Sequence, residues 1–411
     1  MSNAPQPSAA PSRTARRIDW DVLRVLAVLV VLLQHATHTG PSLHPEFGAP
    51  AFEFPLYVGA STLMVVSAFF ACASLAKGEP GRFLRNRLAR LLPAYAAAVV
   101  LTYLVLRWFA PAGWSHLEPR DVVANLLLLQ QWVPGVRQVD FAHWTIPVQV
   151  FAFTAGALLF GRRAGRGPWL RALLWVLVLA PLVVRSFADG PGLVQAAFYG
   201  FGVHRAQLFA AGVAIWLWSV RRLSAAHLAA LLVAVVVADG AHSAEPVSAV
   251  GFGLLLLVVI AAAAGPDRTL PRPLARPVSW LAGISYGVYL VHQEIGAVVV
   301  RGLVGLGFGP WSWLAGFLGS AVLLGWALTV LVERPAHRWL TAPERGAALV
   351  RLLLALRLHA VRWVYAQSGS SGVVPIRPVP SWRPVSQAST SAAEPRTSSG
   401  LAPPAATSQV R

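Results

Sequence analysis

Apolar blocks long enough to cross a bilayer follow one another through most of the chain, separated by thin polar linkers. A transmembrane helix needs about 20 mostly apolar residues. Ten such blocks can be counted, near residues 22–39, 56–76, 91–109, 144–160, 170–186, 203–220, 226–239, 247–264, 280–300 and 311–332. The seventh is short. The pattern predicts an all-α, polytopic membrane protein with about ten transmembrane helices.

The segments outside these blocks differ in composition. Residues 1–17 are rich in Pro, Ser, Ala and Arg and are predicted to be a disordered arm before the transmembrane domain at 18–342. In residues 343–366 arginines alternate with leucines, which is typical of an amphipathic helix at the cytoplasmic membrane surface. Residues 367–411 are rich in Ser, Pro, Thr, Ala and Gly and are predicted to be a disordered tail.

The distribution of basic residues predicts the orientation in the membrane. Cytoplasmic loops carry an excess of Lys and Arg. If the N-terminus is cytoplasmic, the arginine-rich linkers all lie inside, whereas the outside stretches 40–55 and 240–246 contain neither Lys nor Arg. The outside segments then hold only Arg120, Arg137 and Arg301. Both termini are therefore expected in the cytoplasm.

Composition supports a membrane protein and excludes several other classes. Hydrophobic residues make up 56% of the chain and charged residues 12%, against about 25% charged residues in ordinary globular proteins. The net charge of +18 is spread over short clusters, which argues against nucleic-acid binding. The single cysteine, Cys72, excludes an intrachain disulfide. The scattered histidines have no zinc-like spacing, so no metal is expected.

The first block carries two ionisable residues on one helix face. Arg24 and His35 are eleven positions apart, which is about 16 Å along a helix and close to three full turns. Ionisable groups at membrane depth usually face a cavity and indicate a functional site. Alternatively, Arg24 is an interfacial anchor and His35 only a polar end marker. These two residues alone do not decide between the readings.

Two arginines precede the third block. Arg87 and Arg90 form R-x-x-R-x-x-P with Pro93, and positions i and i+3 share a helix face. Guanidinium groups suit phosphate oxygens, so the pair can bind a nucleotide-bearing donor at the cytoplasmic surface. Binding of anionic lipid headgroups is the alternative.

Three later blocks contain polar residues in apolar surroundings. Trp144 opens the fourth block as a candidate interfacial anchor, and Gln149 inside it needs a hydrogen-bond partner. The other polar positions are Ser285, Tyr286, Tyr289 and His292 in the ninth block and Glu333, followed by Arg334 and Pro335, after the tenth. Ser285, Tyr289 and His292 recur at i, i+4 and i+7, which is one helix face.

Taken in order, these pieces resemble the acyltransferase 3 family of integral membrane O-acyltransferases. The first block matches the family's L-R-x-L-A pattern with its following His, and the later motifs are R-x-x-R-x-x-P, W-[ST]-[LI]-x-V-E, S-Y-x-x-Y-L-x-H and E-[KR]-P. Here they stand at 23–35, 87–93, 144–149, 285–292 and 333–335. The resemblance covers about residues 18–340.

The resemblance implies transfer of an acyl group, often acetyl, from cytoplasmic acyl-CoA. The implied acceptor is a hydroxyl of a carbohydrate, glycolipid, cell-envelope polymer or glycosylated metabolite, and the implied location is the bacterial inner membrane. It further implies that His35 is catalytic, that Arg24 supports it, and that Arg87 and Arg90 bind the donor. His35 can act as a general base or carry the acyl group, and His38, one turn further on, can serve in either role.

Two positions depart from the family pattern. Ser67, Ala68 and Phe69 stand where the family has S-G-[FY], and Gln149 replaces a Glu. The loss of charge matters if that carboxylate orients a catalytic group, whereas Gln149 suffices if it only forms a hydrogen bond. Because His35 and the arginines are retained, an active enzyme is favoured. The alternatives are a catalytically silent relative that moves or senses a lipid or glycan, and a transporter, although no internal symmetry supports the latter.

Overall fold

The computed structural model describes residues 17–114, 116–133, 135–159, 167–188, 192–243, 246–266 and 268–342. In these ranges the chain forms helices and connecting turns without strands, which confirms the predicted all-α class. The α-helices are α1 (Ile18–Gln34), α2 (Gly40–Leu43), α3 (Gly59–Leu75), α4 (Pro80–Phe109), α5 (Pro119–Leu126), α6 (Thr145–Leu159), α7 (Gly167–Arg185), α8 (Leu193–Gly200), α9 (Ala206–Ser219), α10 (Ala225–Ser243), α11 (Pro246–Ala264), α12 (Arg272–Val291), α13 (Gln293–Gly305), α14 (Pro310–Leu328) and α15 (Arg334–Thr341). The predicted amphipathic helix at 343–366, the tail and nearly all of the N-terminal arm lie outside the described residues.

Helices stand at all ten predicted blocks, but not all are long enough to cross a bilayer. Seven helical segments of the described chain are long and apolar enough, or eight if the bent pair α12 and α13 is one span. Two predicted spans are shorter helices, α3 with 17 residues and α9 with 14. The seventh block, predicted to be short, forms the 19-residue α10. A multi-pass membrane protein is confirmed, and ten crossings stay a prediction.

Two long helices change their winding at a motif residue. α1 passes through the π-helical segment His35–Thr39 into α2, and α14 passes through the π-helical segment Thr329–Glu333 into α15. A π-helical turn contains an extra residue, which redirects the following side chains, and such turns are frequent at functional sites. His35 and Glu333 both lie in these segments.

The ninth block is not one straight helix. α12 and α13 meet at His292 at an angle of 76°. In a continuous helix the amide of Glu294 would donate to the carbonyl of Leu290. Instead, the Glu294 amide donates to the carboxylate of Asp140 at 3.2 Å, and Nε2 of His143 donates to the Leu290 carbonyl at 2.9 Å. Two buried side chains thus satisfy the backbone groups that the bend separates.

α3 and α9 pack closely where the chain departs from the family motif. A Cβ atom added to Gly212 would lie 2.6 Å from Cβ of Ala68. Ala68 is 2% exposed, so its methyl group fits because the facing residue is glycine. The replacement of the family's glycine by Ala68 is therefore accommodated by the glycine on α9.

Candidate active site

His35 and His292 form a pair between α1 and the α12–α13 bend, in which His292 is buried and His35 is partly buried. Nδ1 of His35 lies 2.8 Å from Nε2 of His292. The two rings are stacked with their centroids 4.8 Å apart. The first and ninth blocks, which the sequence motifs single out separately, therefore supply one site.

The backbone fixes which nitrogen atoms carry protons in the neutral pair. Nδ1 of His292 lies 2.8 Å from the carbonyl oxygen of Tyr289, and a carbonyl only accepts, so this Nδ1 carries the hydrogen. Nε2 of His292 is then the acceptor, and His35 donates to it from Nδ1. Consequently Nε2 of His35 keeps its lone pair, the arrangement that a general base or a nucleophile needs.

A short 3₁₀ segment, Phe141–Trp144, supports this pair from the other side. The Tyr289 hydroxyl donates to the Ala142 carbonyl at 3.1 Å, and Asp140 accepts from the Ala142 amide at 2.8 Å. Asp140 is 1% exposed. Asp140 was not among the predicted site residues, because it lies in a loop before the fourth block and nothing in the pattern connects it to the ninth block.

A small pocket opens beside His35. Its empty space is about 350 Å³, including the part that is open to solvent. The polar lining comes from His35, His44, Gln293 and Glu294, and the apolar lining includes Phe47 and Phe317. The pocket therefore combines a few polar groups with apolar walls, as small-molecule sites do.

The mouth of the pocket carries a histidine that is held neutral. His44, which lines the pocket, stacks on Trp114 with ring centroids 3.9 Å apart. Burial lowers the pKa of His44 below its ordinary value of 6.5, and the nearby Glu46 partly opposes this shift. His44 is therefore uncharged near neutral pH.

The predicted arginines form a second cluster. Nε of Arg90 lies 3.0 Å from Oε1 of Glu333, so the R-x-x-R and E-[KR]-P motifs meet in an ion pair. Arg87 lies over the ring of Phe153, with Cζ 5.4 Å from the centroid. Arg87 is within electrostatic range of both Arg90 and Arg24. Among the described residues no carboxylate forms an ion pair with Arg87, which leaves its charge available to an anion.

Arg24 belongs to the same cluster and not to the histidine pair. NH1 of Arg24 lies 3.8 Å from Oδ1 of Asp21, a carboxylate that is 1% exposed and accepts from Ser279 at 2.9 Å. Cζ of Arg24 also lies 4.9 Å from the centroid of Phe70. These contacts fix the guanidinium about 16 Å before His35 along α1.

Gln149 has the hydrogen-bond partner that its position requires. The Ser67 hydroxyl donates to Oε1 of Gln149 at 3.2 Å. A glutamate would accept the same bond, so replacement of the family's Glu keeps this contact. Neither residue lines the pocket beside His35.

The remaining predicted residues lie away from the pocket lining. His38 makes an ion-pair contact of 2.7 Å with Glu53, so it does not join His35. Trp144 lies against Arg205, whose Cζ is 5.0 Å from the ring. The Ser285 hydroxyl donates to the carbonyl of Ala282 in its own helix. The Tyr286 hydroxyl donates to the carbonyl of Leu91, beside Arg90.

In the part of the chain that the structure covers, no cluster of three His, Cys, Asp or Glu side chains could hold a metal ion.

Comparison with known proteins gives the chain a family. The model of the acyltransferase 3 family, described as an acyltransferase domain, matches residues 17–330. The chain is also 27% identical over 362 residues to a putative membrane-bound transacylase, BcsY, of Komagataeibacter xylinus, covering 82% of this chain and 88% of that protein. No solved structure matches. The chain therefore belongs to the acyltransferase 3 family, and it is a membrane acyltransferase that transfers groups other than aminoacyl groups.

Proposed function

We propose that the protein transfers an acyl group, acetyl in the simplest case, from cytoplasmic acyl-CoA to a hydroxyl group. The acceptor is a carbohydrate, a glycolipid or other lipid-linked sugar, a cell-envelope polymer or a glycosylated metabolite. The site lies in the bacterial inner membrane, with both chain termini in the cytoplasm. The observation that carries the proposal is the 2.8 Å contact between Nδ1 of His35 and Nε2 of His292 beside a pocket.

His35 acts as the general base in this proposal. Its Nε2 takes the proton of the acceptor hydroxyl while that oxygen attacks the thioester carbonyl. The C–O bond forms, the C–S bond breaks, and His35 returns the proton to the leaving thiolate. His292 accepts from Nδ1 of His35, so it orients the ring and stabilises the imidazolium that forms, as the third member of a catalytic triad does.

The arginine cluster suits the donor. Arg24, Arg87 and Arg90 are three cations near one end of α1 and α4, and Arg87 has no acidic partner among the described residues. Acyl-CoA carries its phosphates at the far end of a long flexible arm from its thioester. A separation of about 16 Å between Arg24 and His35 along α1 is compatible with such a donor.

A covalent route uses the same nitrogen. Nε2 of His35 can attack the thioester carbonyl itself, so that the N–C bond forms, the C–S bond breaks and the CoA thiolate leaves. The acceptor hydroxyl then attacks the acyl-imidazole and releases His35. In that route another group must take the hydroxyl proton, and Glu294 lines the same pocket. Both routes require His35.

A catalytically silent relative is the second candidate, because Ala68 and Gln149 depart from the family pattern. Both departures are accommodated, since Gly212 makes room for Ala68 and Ser67 donates to Gln149. Neither residue lines the pocket. The enzyme reading is therefore preferred.

Release of free thiol from acetyl-CoA tests the proposal without knowledge of the acceptor. The purified protein in detergent is compared with His35→Ala and with the exposed-loop control His116→Ala. Release that is lost in His35→Ala and kept in the control is the expected result. If wild type releases no thiol, binding of acetyl-CoA is measured on the same samples. Binding without release would indicate a missing acceptor, whereas no binding would favour the silent relative.

A further inference from the structure

Gln293, which lines the pocket beside His35, has an unpaired carboxamide. Its side chain is 6% exposed and lines the pocket. Neither its carbonyl oxygen nor its amide nitrogen has a hydrogen-bond partner in the described structure. A buried polar atom without a partner is destabilising, and here two such atoms belong to one side chain. This arrangement indicates a ligand that supplies both partners.

The position of Gln293 is tied to the histidine pair. It is the first residue of α13 and directly follows His292, at which the helix bends by 76°. The same backbone feature therefore sets both the base at His35 and the carboxamide. A ligand held by Gln293 is consequently held at a fixed place relative to His35.

The chemistry of a carboxamide limits the ligand. It offers one accepting oxygen and one donating NH₂ group side by side. Two hydroxyl groups on neighbouring carbons of a sugar ring present the complementary donor and acceptor. A simple fatty alcohol has a single hydroxyl, which the reaction at His35 uses. The apolar walls, including Phe47 and Phe317, suit the carbon face of a ring.

We propose that this pocket is the acceptor subsite and that Gln293 selects acceptors with a second hydroxyl next to the one that is acylated. The acceptor is thus a carbohydrate-type vicinal diol. The inference rests on the function proposed above, because the reacting hydroxyl is the one that His35 deprotonates. Gln293 determines specificity and takes no part in the proton transfer.

The test compares three small alcohols as acceptors with acetyl-CoA as donor. They are cyclohexanol, trans-1,2-cyclohexanediol and trans-2-methoxycyclohexanol, which differ only in the second oxygen. Esters are quantified by mass spectrometry, and thiol release is followed in the same samples. The proteins are wild type, Gln293→Met and the control Gln195→Met, which makes the same change on α8 outside the pocket lining.

Wild type is expected to acetylate the diol with a kcat/KM about 10- to 100-fold above that for cyclohexanol, as two hydrogen bonds would give. The methyl ether, which cannot donate from its second oxygen, falls between them. In Gln293→Met the preference shrinks to within about threefold, because the rate with the diol falls more than the rate with cyclohexanol. Gln195→Met behaves like wild type.

The inference is overturned if wild type shows no diol preference, or if Gln293→Met retains the preference. Absence of thiol release from every protein would instead count against the proposed function itself. If Gln293→Met loses thiol release as well, the three alcohols are compared with Gln293→Asn instead. This variant keeps the carboxamide but shortens the side chain by one carbon. A diol preference that is unchanged in Gln293→Asn also overturns the inference.

Discussion

The carboxylate of Asp140 accepts the backbone N–H of Glu294 at 3.2 Å, and so replaces the helix hydrogen bond that the bend at His292 breaks. Asp140 is buried and lies in a loop far away in the sequence. The contact connects the loop before α6 to the helix bend that carries His292, one member of the histidine pair. The geometry of the proposed active site therefore depends on a residue outside every sequence motif.

Replacement of Asp140 by alanine is expected to slow thiol release from acetyl-CoA. Loss of the carboxylate leaves the amides of Ala142 and Glu294 without their acceptor, and a lost cap of this kind costs about 1 kcal/mol. The bend relaxes and His292 shifts, so we expect a rate loss of about 10- to 100-fold, since small displacements of catalytic groups are costly. Asp140→Asn, which retains one acceptor oxygen, should lose less. Equal rates for wild type and Asp140→Ala would contradict this role.

Arg87→Gln is expected to weaken acetyl-CoA binding by about tenfold, because a charge-assisted hydrogen bond to phosphate contributes about 1.5–3 kcal/mol. Arg107→Gln, at the opposite end of the same helix, is the matched control. Binding isotherms are compared for acetyl-CoA and for acetyl-pantetheine, which lacks the nucleotide phosphates. The difference between Arg87→Gln and wild type should vanish with acetyl-pantetheine. A loss of the same size for both donors would show that Arg87 does not contact phosphate.

The close packing of α3 and α9 predicts compensation between Ala68 and Gly212. Gly212→Ala introduces a methyl group that meets the backbone carbonyl oxygen of Val65 as well as Cβ of Ala68, and overpacking of this kind costs about 1–3 kcal/mol. The thermal midpoint in detergent should fall, and Ala68→Gly in the same chain should restore at most part of it, because the contact with Val65 remains. If Gly212→Ala leaves the midpoint unchanged, the two helices do not meet as described.

His44 predicts a pH dependence of stability. Because its pKa is lowered in the folded protein from the ordinary 6.5, the unfolded chain binds the proton more readily. Folding stability should therefore fall as the pH drops through about 6.5 toward the lowered value. His44→Phe keeps the aromatic contact with Trp114 and should flatten this part of the curve. The measurement is the difference in thermal midpoint between the two proteins from pH 8 to pH 5, and a constant difference would contradict it.

The sequence was sufficient for the helical membrane class and for part of the site. Long apolar blocks have one stable solution in lipid, so helices appear at all ten predicted places. The motifs at His35 and His292 join because polar side chains in apolar blocks must find partners, and Arg90 and Glu333 join as opposite charges at the ends of two blocks. Orientation and the number of crossings stay predictions.

Other parts of the site had no signal in the sequence. The bend at His292 involves neither Pro nor Gly, and it depends on Asp140 and His143 from a distant loop. The π-helical winding at His35 changes which side chains face the pocket, and local propensity does not reveal it. Gln293 stands next to a motif but is noticeable only because the folded chain leaves its amide unpaired.

The central claim is that His35 and His292 act as one unit. Initial rates of thiol release from acetyl-CoA are measured for wild type, His35→Ala, His292→Ala and the double variant. We expect His35→Ala to lose about 1,000-fold or more, and the double variant to be no slower than His35→Ala, because residues that act together are strongly non-additive. Release that persists in His35→Ala, or losses that multiply in the double variant, would contradict the account.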